Sequence, residues 1–444
     1  MKIHQIARVA VFAHFLSISL LAQNVNTVDL IPTVNAPYSS IGFGEMTPLN
    51  YVSSLGMGGL SAAYNDPFNL NILNPASLAY LRSTSFEVGL KFKNAIFQEE
   101  DITNQNWTGN LSHLALGFPL INPINEAVDR KEPKLGLGMY FGLQPYSEVG
   151  YSIGQRINSG KITSASNLYK GSGGTYLFSF GNAFRYKAFA VGVRIGRVFG
   201  EETSNKRIEL DSFENSFNTE LTNKYQLSAW TWNLGLQYTI QLKETNFSTS
   251  RLILGFYGDS QAEFNIEGTQ FYYAESYAGS IDTVKYEENL SKNGRLPSAW
   301  TGGITYENIG KLRMGLEFGI GNWSQYRNEL KPDQLANSSR LAFGIEWIPN
   351  IGSFDSYWEK VRYRGGFYTQ KDPRVVAGEQ LREMGITIGA GFPLVLPRQQ
   401  VSFVNLAIQM GTIGDPSILR ERFIKLNLGF TLNDNTWFYK RKFN

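Results

Sequence analysis

Apolar and polar residues alternate strictly along many stretches of this chain. In the clearest run, Ile424, Leu426, Leu428, Phe430 and Leu432 alternate with Lys425, Asn427, Gly429, Thr431 and Asn433. A period of two residues is the signature of a β-strand that buries one face. Similar runs begin near residues 84, 111, 135, 175, 188, 224, 251, 284, 312, 339, 361, 381, 400 and 422. The pattern therefore predicts fourteen strands and an all-β fold.

The polar face of each predicted strand is small and rich in glycine rather than densely charged. The whole chain has 44 glycines, 14% aromatic residues and only 18% charged residues. A soluble β-sandwich shares such a composition, but its outer face usually carries denser charge. Apolar residues facing lipid and small polar residues facing a lumen favour a 14-stranded antiparallel transmembrane β-barrel.

The N-terminus has the features of an export signal. Lys2 and Arg8 precede an apolar run over residues 9–21, and a small residue follows at Ala22. This pattern predicts a signal peptide over 1–22, because the run is short for a membrane anchor. The expected organisation then comprises an N-terminal segment with a lumen plug (hatch) over 23–82, the barrel over 83–434 and a periplasmic tail over 435–444.

Location and topology follow from the same features. An exported β-barrel belongs in the outer membrane of a Gram-negative cell, crosses it many times and contacts its lipid. An even number of strands places both termini on one side, which is expected to be the periplasm. Connections 119–134 and 350–359 are long for periplasmic turns.

Residues 51–80 differ from the rest of the chain. They are rich in Gly, Asn, Pro and Ser, have no sustained period and directly precede the first strand. This composition predicts a compact plug inside the barrel. Gly56, Gly58 and Gly59 are expected to permit tight turns at positive φ. No Gly-Lys-Ser/Thr follows them, so a phosphate-binding loop is not indicated.

Three stretches resemble the FadL family of outer-membrane channels for hydrophobic compounds. They are residues 53–81 with the triplet Asn74-Pro75-Ala76, residues 136–151 with Gly142 and Pro145, and residues 296–326, which end in Trp323-Ser324-Gln325-Tyr326. The resemblance implies a hatch at the first stretch, including the three glycines above. It also implies a kinked strand that opens the wall sideways at the second.

This resemblance implies passive transport of hydrophobic small molecules, either long-chain fatty acid-like or aromatic, with lateral release into the bilayer. Pro145 lacks a ladder donor and Gly142 allows bending, although an ordinary bulge would have the same residues. Trp323, Ser324 and Tyr326 are most simply part of the outer aromatic girdle, with ligand contact as the alternative.

Two rival interpretations stay open. Loops 200–223 and 258–296 carry many charges and few clustered apolar residues. They favour an accessory subunit of a multiprotein outer-membrane complex, similar to the PorV-type barrels of type IX secretion. A soluble secreted β-protein is the weaker rival.

Other chemistry finds little support in the sequence. Cysteine is absent, and His113 is the one histidine outside the predicted signal. A lone histidine builds neither a metal centre nor a catalytic cluster, so no enzyme activity, metal or cofactor is expected. A net charge of +3 gives no reason to expect nucleic-acid binding. A network that holds the hatch is expected from the lumen-facing charges Glu87, Lys91, Lys93, Arg185, Arg194 and Lys425.

Overall fold

The computed structural model describes residues 36–434, except 100–101, 122–133, 160–161, 211–216, 246–247, 277, 397–399 and 416–417. The predicted signal peptide (1–22) and C-terminal tail (435–444) lie outside the described residues.

Fourteen antiparallel strands form one closed barrel, which confirms the predicted fold class. The strands are β1 (Thr84–Glu99), β2 (Ile102–Pro119), β3 (Leu135–Ser159), β4 (Ile162–Tyr186), β5 (Phe189–Leu210), β6 (Asn218–Thr245), β7 (Ser248–Asp259 and Ala262–Glu275), β8 (Ile281–Leu296 and Ala299–Asn308), β9 (Leu312–Gly321), β10 (Ser338–Trp347), β11 (Arg362–Val376), β12 (Glu379–Leu396), β13 (Gln400–Asp415) and β14 (Leu419–Asp434). Pairing of β14 with β1 closes the barrel.

Strands β7 and β8 are each interrupted once but keep their place in the wall. The first (inner) part of β7 pairs with the C-terminal half of β6, and the second (outer) part pairs with its N-terminal half. The first (outer) part of β8 pairs with the outer part of β7, and the second (inner) part of β8 pairs with the inner part of β7. Each interrupted strand is therefore one barrel strand with a single break.

The barrel is strongly asymmetric in height. Strand β6 has 28 residues, whereas β9 and β10 have 10 each. About 9–11 residues suffice to cross a bilayer. Strands β3–β8 therefore project beyond the membrane on the side opposite the C-terminal end of β14. The outer ends of these long strands need no apolar face, so the sequence pattern places the starts of β2 and β4 at 111 and 175 instead of 102 and 162.

Side chains alternate across the wall as the sequence predicts. On β1, Phe86 and Phe92 are exposed on the outer face, whereas Glu87 is buried in the lumen. The connection between β10 and β11 includes a short 3₁₀ helix, Tyr357–Lys360, and presents Phe354 with 99% exposure. No helix in the described part of the chain is long and apolar enough to cross a membrane.

Candidate functional site

Residues 36–83, called the internal segment below, lie inside the barrel. The segment contains a 3₁₀ helix (Pro37–Ser40), a two-residue strand (Glu45–Met46), one α-helical turn α1 (Val52–Leu55) and a second 3₁₀ helix (Pro75–Tyr80). Every residue of 51–81 is buried except Pro67, Phe68 and Leu73, which are half-buried. Because the segment has little regular structure, its buried backbone groups need hydrogen-bond partners from the barrel wall.

Glycines of the wall make room for the backbone of the internal segment. A Cβ atom built at Gly255 would lie 1.9 Å from the Ala62 carbonyl oxygen, and one at Gly138 would lie 2.0 Å from that of Leu78. Similar clashes with the internal segment would arise at Gly136, Gly192, Gly235, Gly344 and Gly366. The glycines on the lumen face therefore allow the wall to pack closely against the backbone of the internal segment.

The three glycines of residues 51–80 have different roles. Gly58 and Gly59 have φ values of +66° and +74°, the conformation expected of them. Gly56 does not, because it caps α1 with a φ of −64°. Glycine suits that position for another reason, since its Cβ would lie 3.0 Å from the Cα of Gly389. The prediction of a positive φ was wrong for this residue.

The triplet Asn74-Pro75-Ala76 starts the second 3₁₀ helix and fixes it to the wall. The Asn74 Oδ1 accepts from the Ala76 N–H at 3.1 Å, and its Nδ2 donates to the Ala62 carbonyl at 2.6 Å. The same Nδ2 donates to the carbonyl of Leu236 on β6 at 3.1 Å. Proline is favoured at the first helical position, where its missing N–H costs nothing. The triplet therefore links two parts of the internal segment to one strand.

Asp66 is a buried ionic anchor of the internal segment. Its Oδ2 lies 2.5 Å from Arg362 Nη1 on β11 and 3.7 Å from Arg313 Nη1 on β9. Its Oδ1 accepts from the backbone N–H of Phe68 and of Asn69, which closes a tight turn. Burial alone would raise the pKa of Asp66, but the two arginines and the Phe68 N–H hold it well below its usual range.

This shift predicts a dependence of stability on pH. Because the folded-state pKa of Asp66 is depressed, its contribution is fully present above about pH 4, the unfolded value, and is lost as the pH falls below it. We expect the midpoint of thermal unfolding, measured by circular dichroism, to fall as the pH is lowered from about 4 to about 2. Asp66→Asn should flatten this part of the profile, and an unchanged slope in that variant would contradict the assignment.

The backbone pairing between β2 and β3 is incomplete, and this part of the wall is called the seam below. Their ladder covers only residues 114–119 and 138–143, and it ends two residues before Pro145. On its other side β3 stays paired to β4, with a register shift between Pro145 and Ser147. Gly142 lies in the paired part, where a Cβ would approach the Tyr51 hydroxyl to 3.3 Å.

The internal segment covers the β3 side of this seam. Glu45 and Met46 pair antiparallel with Glu148 and Ser147, and the Thr47 N–H donates to the Tyr146 carbonyl at 3.0 Å. This added strand satisfies backbone groups of β3 that lack a partner on β2. Sequence analysis missed it, because two residues are too few to show a period.

Lumen charges hold the added strand from the inside. Lys93 Nζ lies 2.9 Å from Glu45 and 2.8 Å from Glu421, and Lys425 lies 3.9 Å from Glu45. Burial alone would raise the pKa of the Glu45 carboxyl, but the charges of these lysines keep it well below its usual range. The carboxyl is therefore ionised at neutral pH and attracted by both lysines.

The other charges of the predicted network also contact the internal segment, with one exception. Glu87 accepts from the Leu70 N–H at 2.6 Å, Arg194 donates to the Ile72 carbonyl at 3.2 Å, and Arg185 stacks on Tyr80 at 4.7 Å. Lys91 instead pairs with Glu148 on β3 at 2.8 Å.

The upper lumen contains an apolar cluster centred on Phe43 of the internal segment. Its ring centroid lies 5.9 Å from that of Tyr146 and 6.3 Å from those of Phe264 and Tyr326. Gly42 and Gly44, both at positive φ, turn the chain so that this ring points inward. The protein's own side chains therefore occupy this part of the lumen.

The position of Tyr326 in this cluster differs from the expectation that the loop after β9 contributes to the outer aromatic girdle. Tyr326 is only 5% exposed and belongs to the Phe43 cluster, so it is not part of the outer girdle. Trp323 packs against the same cluster, whereas Ser324 is exposed. The loop folds inward because Arg327 and Asn328 pair with the end of the outer part of β8.

Several cavities remain beside the internal segment. One of about 300 Å³ has a mixed lining, in which charged groups such as Lys93, Glu317, Arg340 and Glu421 lie beside apolar ones such as Leu49, Leu55, Ile320 and Trp323. Another, about 420 Å³, lies at the mouth opposite the C-terminal end of β14 and is mostly apolar, with Tyr38, Ile41, Phe97, Ile153, Val376 and Leu419 in its lining. Within the described residues, no group of three or more His, Asp or Glu side chains is placed to hold a metal ion.

These features define an outer-membrane β-barrel of the FadL fold. Similar structures are the Pseudomonas putida toluene transporter TodX (15% identity, TM-score 0.54, covering 88% of this chain and 100% of TodX), a Pseudomonas aeruginosa FadL homologue (13%, 0.54, 88% and 99%) and the Ralstonia pickettii toluene transporter TbuX (12%, 0.52, 88% and 99%). At these identities the likeness concerns the fold alone.

The family is given by the sequence itself. The model of the BamG family matches residues 3–444, and the chain belongs to this family. Comparison with curated proteins finds no match.

Proposed function

We propose that this protein is a closed FadL-type barrel that serves as a subunit of a multiprotein outer-membrane complex. The observation that carries the proposal is the internal segment, which places Phe43 in an apolar cluster of the lumen and covers the β3 side of the seam with Glu45 and Met46. In this arrangement the barrel offers partners an outer wall and a tall outer rim.

Charged groups in the lining of the lumen cavity support the same proposal. An apolar solute gains about 25 cal/mol per Å² only where it leaves water for apolar surroundings. In this cavity it would also cover the charged groups of Lys93, Arg340, Glu317 and Glu421, and burying charge opposes that gain. Membership of the BamG family, which is distinct from the toluene transporters that share the fold, is also compatible with a subunit role.

The internal segment then acts as a permanent hatch, and its anchors keep the barrel rigid enough to serve as a scaffold. In the proposed orientation the C-terminal end of β14 would face the periplasm. This orientation places the projecting parts of β3–β8 outside the cell, where surface-exposed partners would contact them.

Affinity purification of the tagged chain from native outer membranes tests the proposal. We expect partner proteins at constant stoichiometry after mild detergent extraction, identified by mass spectrometry together with the bound lipids. Recovery of the barrel alone, carrying a bound lipophile in its lumen, would contradict it.

A second candidate is transport of a hydrophobic small molecule. The apolar mouth cavity and the short ladder between β2 and β3 favour it, since together they offer an entry site and a weak place in the wall. TodX and TbuX, which share the fold, are described as toluene transporters. Uptake of radiolabelled toluene by cells with and without the protein decides this candidate, and equal uptake would exclude it for that solute.

A further inference from the structure

The outer part of β8 has a free edge. Residues 281–296 pair with the outer part of β7 on one side. On the other side, the only strand pairing in the described part of the chain lies at the base, where Arg327–Asn328 meets Gly294 and Arg295. The next strand, β9, has ten residues and pairs with the inner part of β8 instead. Residues 281–292 therefore present a row of unpaired main-chain N–H and C=O groups over about 40 Å.

This edge is open to solvent on both faces of the strand. Within 281–292 only Lys285 and Leu290 are half-buried, and the other residues are exposed. Residues 202–209 of β5, which is paired on both sides, are all half-buried. No proline interrupts 281–292, so a further strand finds backbone partners along it. A long exposed edge of this kind is a template for strand addition.

Two irregularities in β8 favour a flexible occupant over a second barrel. The register shifts between Thr283 and Lys285 and again between Glu287 and Leu290, and Asn289 has a φ of +57°. Bulges increase the twist of a strand and oppose the pairing of two preformed edges. An extended segment without fixed structure follows such a twist as it pairs. The edge therefore suits an extended segment of another polypeptide better than the same edge of a second copy.

Aromatic side chains beside the edge favour apolar residues in that segment. The ring centroid of Phe271 on β7 lies 4.8 Å from that of Tyr273 and 5.7 Å from that of Tyr286 on the edge. Val284 and Tyr286 are 70% and 57% exposed. Cross-strand pairs of aromatic and β-branched residues stabilise a sheet. Alternate apolar side chains of an added strand would therefore extend this cluster.

The charge of the edge favours a basic segment. Its first eight residues carry three carboxylates, Asp282, Glu287 and Glu288, and one ammonium group, that of Lys285. Lys285 pairs with Glu287 at 3.1 Å. Among the described residues, Asp282 and Glu288 have no cationic partner. Lysine or arginine in the added strand would complement these two carboxylates.

We propose that the free edge of β8 binds an extended segment of a partner polypeptide as an added strand outside the membrane. Main-chain hydrogen bonds to residues 281–292 supply the binding. The aromatic cluster and the carboxylates select a segment that alternates apolar with polar residues and carries lysine or arginine. The inference rests on the proposed subunit role and gives the place and the chemistry of one partner contact.

The first test is affinity purification of the tagged full chain from native outer membranes. Val284→Lys with Tyr286→Lys removes the apolar contact and places lysines on the edge, where they oppose strand addition and repel a basic segment. We expect at least tenfold lower recovery of a partner protein. Phe199→Lys is the matched control, because Phe199 is 40% exposed but lies on β5, which is paired on both sides. Both variants should keep the heat-modifiable band of the folded barrel, and parental recovery in the double variant would overturn the proposal.

Hydrogen exchange separates this proposal from the subunit role itself. Mass spectrometry compares the main-chain amides of the full chain in native outer-membrane vesicles with those of the purified chain in detergent. An added strand should slow exchange at residues 281–292 at least tenfold in the vesicles and leave residues 202–209 unchanged. Equal rates at 281–292 with partners recovered would overturn the edge site and keep the subunit role. Slower exchange with no recovered partner would keep the edge site and contradict a stable complex, and the absence of both effects would overturn both.

A cysteine variant identifies the remaining alternative occupant. The chain has no cysteine, so Val284→Cys introduces a single thiol on the edge. We expect the variant to form no disulfide-linked dimer when native membranes are oxidised. Such a dimer would show that a second copy of the chain occupies the edge and would overturn the assignment to a different partner.

Discussion

Replacing a single lumen glycine by alanine is expected to prevent the barrel from closing around the internal segment. In Gly255→Ala the new Cβ would lie 1.9 Å from the backbone oxygen of Ala62, where a side chain cannot yield. Backbone on both sides must shift, and the Asn74 contacts to Ala62 and β6 shift with it. We expect at least a tenfold lower yield of the heat-modifiable, trypsin-resistant form in outer membranes.

The matched control lies on the neighbouring strand. Gly302 is in the part of β8 that pairs with Gly255, but the nearest atom to its Cβ is 3.7 Å away, in the ring of Phe256. Gly302→Ala should therefore fold with normal yield. Equal yields of the two variants would show that the wall and the internal segment are not in the close contact described above.

The second large effect is expected from Phe43→Ala. Truncating a buried phenylalanine costs about 3–5 kcal/mol, because the contacts are lost and a cavity is left. The new cavity would be lined by Tyr146, Phe264 and Tyr326, and apolar cavities of this kind take up small aromatic molecules. We expect toluene to raise the unfolding midpoint of Phe43→Ala and to leave the parent chain unchanged.

The parent chain is the informative control in that experiment. If toluene stabilises the parent chain as much as Phe43→Ala, the apolar lumen is open to solutes and the transport candidate gains support. A rise confined to the variant supports a lumen that the internal segment occupies permanently.

The period of two along the sequence predicts most of the fold, because each membrane-crossing strand has an apolar face toward lipid and a face of small residues toward the lumen. The run from Ile424 to Leu432 forms β14, and the strand count is confirmed. The pattern fails where that constraint ends. The outer parts of β2 and β4 carry no sustained row of apolar residues, so the alternating pattern begins only after the strands have started.

The candidate site was less accessible from sequence. The glycine-rich composition of residues 51–80 pointed to a plug, but it could not show which side chains would anchor it. Asp66 meets Arg362 across 296 positions of the chain, a pairing that no local pattern encodes. Phe43 and the added strand Glu45–Met46 lie in a stretch without a period, and Tyr326 was misplaced because its loop turns inward.

The most direct test of a permanently closed barrel is a covalent lock between the internal segment and the β3 side of the seam. The chain has no cysteine, and Met46 is the register partner of Ser147 on β3. Opposed residues of antiparallel strands have Cα atoms about 4.5–5.5 Å apart, within the range that a disulfide spans. Met46→Cys with Ser147→Cys therefore locks the internal segment to the wall on oxidation. A closed subunit predicts that the oxidised protein recovers the same partner proteins, at the same stoichiometry, as its reduced form. Loss of those partners on oxidation, restored by reduction, would contradict it.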